Sequence, residues 1–264
     1  MPNKMSIKVL FLGDIVGRSG REAIKEILPG LIKKYKCDFV IANGENAAGG
    51  YGLTERVAEE LFSYGIDVLT SGNHIWKKQF YPYLEKTDKV IRPANYGEGA
   101  AGKGWTIIYK NGYKLAVINL EGRIFMRPLE NPFIIGKKLI NELKKETPFI
   151  LIDFHAEATS EKLALGFYLD GLASAIIGTH THVQTSDERI LPKGTAYITD
   201  VGMCGALNSI IGMRIDQAFE LYLSIVPRKL EVEKQRPIKV EGIFLEFNHQ
   251  GKAIYLERIR IIRN

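Results

Sequence analysis

Val9-Leu10-Phe11-Leu12-Gly13-Asp14 is a short apolar run that stops at a glycine and a carboxylate, and the same figure returns along the chain. Phe39-Val40-Ile41-Ala42 leads to Gly44-Glu45-Asn46, and Val68-Leu69-Thr70 leads to Gly72-Asn73-His74. Phe149-Ile150-Leu151-Ile152 leads to His155, and Ala175-Ile176-Ile177 to Gly178-Thr179-His180-Thr181-His182. Apolar runs of this length that do not alternate with polar residues are strands buried on both faces. Amphipathic segments at about 22–34, after Thr54 and at about 134–145 predict helices covering a largely parallel sheet. Residues 105–109 and 115–119 flank Asn111-Gly112, a hairpin signal. Two more strands, at about 240–247 and 253–262, close the chain around a turn that holds His249. The class is α/β.

The 264 residues, 45% hydrophobic and 25% charged, suit a globular chain that buries a full core without staples. No internal repeat, low-complexity tract or flexible linker divides them, so the expectation is one domain over 1–264, with any cap built from insertions. Thirty-six basic residues against thirty acidic give a net charge of +6. That excess is spread over helix-like segments as lysine pairs; it is compatible with an anionic substrate without identifying one. Cys37 and Cys204 lie far apart and match no zinc spacing, which excludes a disulfide framework and points to a reducing compartment. Met1 to Lys8 contain no signal-peptide core, and the uncharged stretch 171–186 holds two histidines, so it is no membrane span. A cytoplasmic protein with no membrane partner is expected.

Four of the five histidines (His74, His155, His180, His182) come directly after expected strands, as do Asp14 and Glu45. Ligands of open α/β sheets bind beyond the carboxyl ends of the strands, so these side chains are expected to converge on one rim. Carboxylate, amide oxygen and imidazole together suit a divalent ion such as manganese, iron or zinc, and the lack of thiolate argues against a structural zinc. Seven or eight candidates are too many for one ion and suit two that share a carboxylate. Two divalent ions, two carboxylates and one hydroxide leave about one net positive charge, matched to a monoanionic phosphodiester, and such a pair activates a water for in-line displacement.

Gly13-Asp14, Gly44-Glu45-Asn46, Gly72-Asn73-His74, His155 and Gly178-Thr179-His180-Thr181-His182, in this order, resemble the calcineurin-like metallophosphoesterase superfamily. Asp14-Ile15-Val16-Gly17-Arg18, Ala42-Asn43-Gly44-Glu45-Asn46-Ala47, Arg92-Pro93-Ala94-Asn95 and the stretch 191–203 are similar to its bacterial YmdB-like branch, so the likeness covers nearly the whole chain. The resemblance implies a four-layer α/β sandwich, two mixed sheets flanked by helices. It implies a dimetal phosphodiesterase that hydrolyses 2′,3′-cyclic nucleotides to 3′-nucleotides. Its metals would be two per chain, iron or manganese, with zinc as a further option. One ion would be held by Asp14, Glu45, Asn46 and His182, and the other by Glu45, Asn73, His155 and His180. His74 would give the proton to the leaving 2′-oxygen. The superfamily's usual Asp-x-His is Asp14-Ile15-Val16 here, and Ile75 stands where an acidic residue commonly orients the histidine. Both departures fit the YmdB-like branch, which also suggests a homo-oligomer, dimer or tetramer.

Two other readings use the same residues. One is a phosphomonoesterase or phosphoprotein phosphatase on the same metals. The other is a regulatory, RNA-associated scaffold whose metal site is structural; it would tolerate loss of His74, whereas a catalyst would not. Tyr51 is a candidate for stacking on a base, beside its plainer role in the glycine-rich turn 47–52. Arg18, Arg123 and Arg127 could meet phosphate, although surface roles suit each of them.

Overall fold

The computed structural model describes residues 6–264, so the reading of the first five residues lies outside the described residues. The strands are β1 (Ser6–Leu12), β2 (Asp14–Ile15), β3 (Phe39–Asn43), β4 (Val68–Thr70), β5 (Trp105–Lys110), β6 (Tyr113–Glu121), β7 (Ile150–His155), β8 (Ala175–Thr179), β9 (Arg189–Ile190), β10 (Ala196–Ile198), β11 (Met203–Ala206), β12 (Ile238–Asn248) and β13 (Ala253–Arg263). The helices are α1 (Gly17–Tyr35), α2 (Glu55–Ser63), α3 (Tyr81–Leu84), α4 (Pro132–Leu143), α5 (Thr159–Tyr168) and α6 (Ile215–Ser224), with a 3-10 turn at Ile75–Lys78.

One sheet runs β2-β11-β12-β1-β3-β4, with β13 on the other edge of β12; the second runs β5-β6-β7-β8-β10-β9. In β1, Ile7, Val9 and Phe11 point between the sheets, where they meet Leu115, Val117, Leu151 and Ile177. Leu10 and Leu12 point the other way, onto Ile24, Leu28 and Leu31 of α1 and Leu61 of α2. The second sheet does the same: Ile118, Ile152 and Phe154 turn outward to Ile140 of α4 and Leu165 of α5. Strands with a helix layer on one face and a sheet on the other have no wet side, which is why their sequences are continuous apolar runs. The result is the expected sandwich of helices, sheet, sheet and helices.

Thr54 caps α2, its side chain accepting from Val57 N, and Asn111 and Gly112 both take positive φ between β5 and β6, as a tight hairpin requires. The first sheet is mixed rather than largely parallel. β1 is parallel to β3 and β3 to β4, but the 11-residue β12 runs antiparallel to β1. The helix expected from residue 22 begins at Gly17, and α6 and the short strands β2, β9, β10 and β11 had no visible signal. Strands of two to four residues hold at most two alternations, too few to stand out as a pattern. No helix of the described residues is long and apolar enough to cross a membrane.

Candidate metal centre

Parallel pairing within each sheet, β1-β3-β4 and β6-β7-β8, brings the carboxyl ends of both sets to one end of the sandwich. Asp14, Glu45, Asn46, Asn73, His74, His155, His180 and His182 all gather there.

Glu45 is the hub. It is buried, with Oε1 at 3.2 Å from His155 Nε2 and 3.3 Å from His74 Nδ1, and Oε2 accepting from His74 N at 2.9 Å. His155 Nε2 also lies 3.1 Å from Asn73 Oδ1 and 3.0 Å from His180 Nδ1. Gly72 makes this approach possible, because a Cβ there would stand 2.1 Å from His155 Cδ2.

On the other side of Glu45, Asp14 Oδ2 accepts from His180 N at 3.1 Å, while Asp14 Oδ1 is buried with no hydrogen-bond partner among the described residues. His182 Nε2 stands 3.6 Å from that oxygen and 3.2 Å from Asn46 Nδ2, and its Nδ1 donates to Ile211 O at 2.8 Å. The Asn46 amide turns its Oδ1 to His74 Nδ1 at 2.8 Å and its Nδ2 to Glu45 Oε1 at 3.1 Å. An amide nitrogen cannot ligate a cation, so ligation by Asn46 requires the amide to turn over. In the orientation present, Asn46 fixes the ring that no acidic neighbour in sequence could fix. Tyr51 meets that ring edge-on, 5.0 Å between centroids.

The charges around the hub are strongly shifted. Burial opposes ionisation of Glu45, yet His155 and then His74 outweigh it and hold the carboxyl well below its usual range. Asp14 is lowered likewise, burial being outweighed by His182. Burial works against charge on His155 too, but Glu45, Asp14 and Asp153 raise its pKa to about 9. Burial and the charge on His155 push His180 down to about 3.

These observations fit a divalent cation. Donors roughly 2.1 Å from a common ion and at right angles to one another lie about 3.0 Å apart, which is the spacing of His180 Nδ1, Asn73 Oδ1 and Glu45 Oε1 from His155 Nε2. Glu45, His155 and His180 each offer a ligand atom within 4.8 Å of the others. Two imidazole nitrogens face each other there, and the buried Asp14 Oδ1 has no hydrogen-bond partner among the described residues. A cation satisfies both.

Sequence reasoning missed the layer beneath. Asp153, whose carboxyl burial pushes up to about 7, accepts from Thr179 Oγ1 at 2.7 Å and Asn43 Nδ2 at 3.1 Å, and Thr179 Oγ1 is 2.9 Å from His155 Nδ1. A carboxylate inside an apolar strand, two positions before a histidine and hence on its face, was the available signal. Lys162 and Asp200 form a buried pair at 2.8 Å behind the loop that carries His180 and His182, and no pattern in the sequence announces it. Glu157 reaches His180 Nε2 at 3.1 Å. His249 stands apart in its exposed turn, and Arg18 is spent on an exposed pair with Glu22.

A family model described as YmdB-like protein matches residues 10–259. A relative from Bacillus subtilis (strain 168), named 2′,3′-cyclic-nucleotide 2′-phosphodiesterase, is 50% identical over 257 residues, which cover 97% of each chain. A solved structure of a hypothetical protein from Thermus thermophilus has a TM-score of 0.91 at 39% identity, covering 98% of this chain and 100% of that one. A solved structure of a novel phosphatase from Mycoplasma pneumoniae has a TM-score of 0.90 at 40% identity, covering 97% of this chain and 94% of that one.

Proposed function

The chain belongs to the YmdB-like family, and from that membership we propose that it is a metal-dependent phosphodiesterase that opens 2′,3′-cyclic nucleotides to 3′-nucleotides. The observation that carries this reading is the convergence of Asn73, His155 and His180 on Glu45 with His74 beside them.

Two ions, iron or manganese with zinc as a further option, would be held by Asp14, Glu45, Asn46 and His182 on one side and by Glu45, Asn73, His155 and His180 on the other. When bound, they supply Lewis-acid polarisation of a water and neutralise charge on the phosphoryl oxygens. Asp14 and Glu45 keep the centre close to the charge of one phosphodiester. Thr179, anchored on Asp153, keeps the His155 ring in its plane.

The hydrolysis adds a water oxygen at phosphorus in line with the 2′-oxygen. The P–O2′ bond breaks, the electron pair leaves on O2′, and the 3′-phosphomonoester remains. His74 delivers a proton to O2′ from Nε2. Its backbone N is held by Glu45 Oε2 and its Nδ1 faces the Asn46 amide. With that amide turned over to ligate, Nδ1 would accept from Asn46 Nδ2 and the ring proton would sit on Nε2, aimed before substrate arrives. A positioned imidazole acid of this kind contributes roughly 10²–10⁴-fold.

The two unpaired cysteines support a reducing, cytoplasmic setting. The exposed apolar side chains Phe219, Tyr222, Leu223 and Ile225 on and after α6 support self-association.

The test measures hydrolysis of 2′,3′-cyclic AMP by the manganese-loaded protein and by His74→Ala, with metal content determined on both. The expected outcome is turnover to 3′-AMP that drops roughly 10²–10⁴-fold in the variant while its metal stays bound. A metal-loaded protein that leaves the cyclic nucleotide intact would sink the reading.

A further inference from the structure

The inter-sheet face of β12 and β13 runs on past the apolar core, and its character changes there. Ile243, Leu245 and Phe247 pack between the sheets. Lys239 and Glu241 continue the same face of β12, and Arg258 and Arg260 of β13 stand opposite Ile243 and Glu241. Together with Gln184 and His182 these four line a cavity of about 410 Å³. The ring of His182 looks the other way, with Nε2 toward Asp14 and Asn46. The cavity and the metal centre therefore share one residue as a wall.

The cavity is built to hold an anion. Glu241, only 2% exposed, takes Lys239 Nζ at 2.7 Å and Met203 N at 3.1 Å on one oxygen, and Arg260 Nε at 3.3 Å on the other. Arg258 is fixed by Thr185 O at 3.1 Å on Nη1 and by Glu188 Oε1 at 3.4 Å on Nε. Gln184 ties the intervening loop to the sheet by donating to Gly242 O at 3.2 Å and Ile259 O at 2.9 Å. Each guanidinium is thus held by its inner edge. Among the described residues neither Nη of Arg260 has a partner, nor does Nη2 of Arg258. Planar forks anchored on one side and open on the other match the oxygens of a phosphate. Three cationic side chains against Glu241 and Glu188 leave positive charge in excess.

We propose that this cavity receives the phosphate on the 5′ side of the nucleotide whose cyclic phosphate sits at the metals, so that the preferred substrate is an RNA 3′ end closed by a 2′,3′-cyclic phosphate. This inference rests on the phosphodiesterase reading above and names its substrate class. In a strand the two phosphates are one ribose apart, and the wall formed by His182 separates the two sites by a single residue. A free cyclic mononucleotide leaves the cavity unused.

The test compares kcat/KM for 2′,3′-cyclic AMP and for a diadenylate ending in a 2′,3′-cyclic phosphate, in the wild type and in Arg258→Gln/Arg260→Gln. The expected result is at least a tenfold preference for the dinucleotide in the wild type, with the ratio falling toward one in the variant. No preference, or a preference the variant retains, overturns the proposal and leaves the phosphodiesterase reading standing. Hydrolysis of neither substrate removes both. A second measurement needs no variant: adenosine 3′,5′-bisphosphate should inhibit the wild type at least tenfold more tightly than 3′-AMP. Equal inhibition also overturns the proposal.

Discussion

His155 has both ring nitrogens in use. Nδ1 sits 2.9 Å from Thr179 Oγ1, and Nε2 faces Glu45, Asn73 and His180. Without metal the ring is charged, since its pKa is raised to about 9, against 6.5 for the ordinary group. That charge contributes stability that is fully present below about pH 6.5 and is lost as pH rises through about 9. Metal needs the lone pair that the proton occupies, so the two compete. His180 is not part of this competition, because its pKa is pushed down to about 3 and its ring is already neutral. We therefore expect metal uptake at pH 7.5 to release at least one proton, from His155 and in part from His182, where Asp14 outweighs burial and raises the pKa, and affinity to climb with pH until about 9. Titration calorimetry in buffers of different ionisation enthalpy counts the protons released. Uptake without release would mean that metal does not displace the His155 proton.

The loop from β8 carries His180 and His182, and both take positive φ, 102° and 63°. Non-glycine residues in that region cost of order 1–3 kcal/mol each and persist only where the surroundings hold them. Lys162 from α5 does much of the holding: Nζ donates to Thr179 O at 2.7 Å and to Asp200 Oδ2 at 2.8 Å, and Asp200 accepts Thr181 N at 3.0 Å. Three elements meet in one buried ion pair, with Lys162 1% and Asp200 0% exposed. Replacing one partner strands a buried charge, which costs about 3–5 kcal/mol, whereas removing both is far milder. Lys162→Met should accordingly lose about that much in urea unfolding, and Lys162→Met/Asp200→Asn should recover most of it. Equal losses in the two variants would show that the pair acts only as packing. Neither Lys162 nor Asp200 stands out in the sequence, because a pair 38 positions apart leaves no local pattern.

At the scale of the molecule, the metal centre joins the ends of two sheets that meet through an apolar layer and, beneath the centre, through the bonds of Asn43 and Thr70 to Asp153. Metal that binds the folded form alone stabilises it by about 2.7 kcal/mol at a hundred times its Kd. For a chain of this size that is about 5–10 °C in Tm. Stripping metal with a chelator should lower the thermal midpoint by that amount, and manganese should restore it, as read by scanning calorimetry. A midpoint indifferent to chelator would place the bound metal outside the folding equilibrium.

The buried strands, the hairpin at Asn111-Gly112, the cap at Thr54 and the order of the strand-end residues were all legible in the chain, because each is a local pattern with a period or a turn chemistry of its own. The sequence also assembled the list from Asp14 to His182, since strand ends in an α/β sheet share a rim whatever the details of the pairing. What it could not supply was anything set between distant segments. The antiparallel insertion of β12, the hold of Asn46 on His74, the support of His155 by Asp153 through Thr179, and the cationic face of β12 and β13 depend on which side chains come within about 3 Å. Such distances come from packing the whole chain, where a residue's neighbours are chosen by topology and not by its position in sequence.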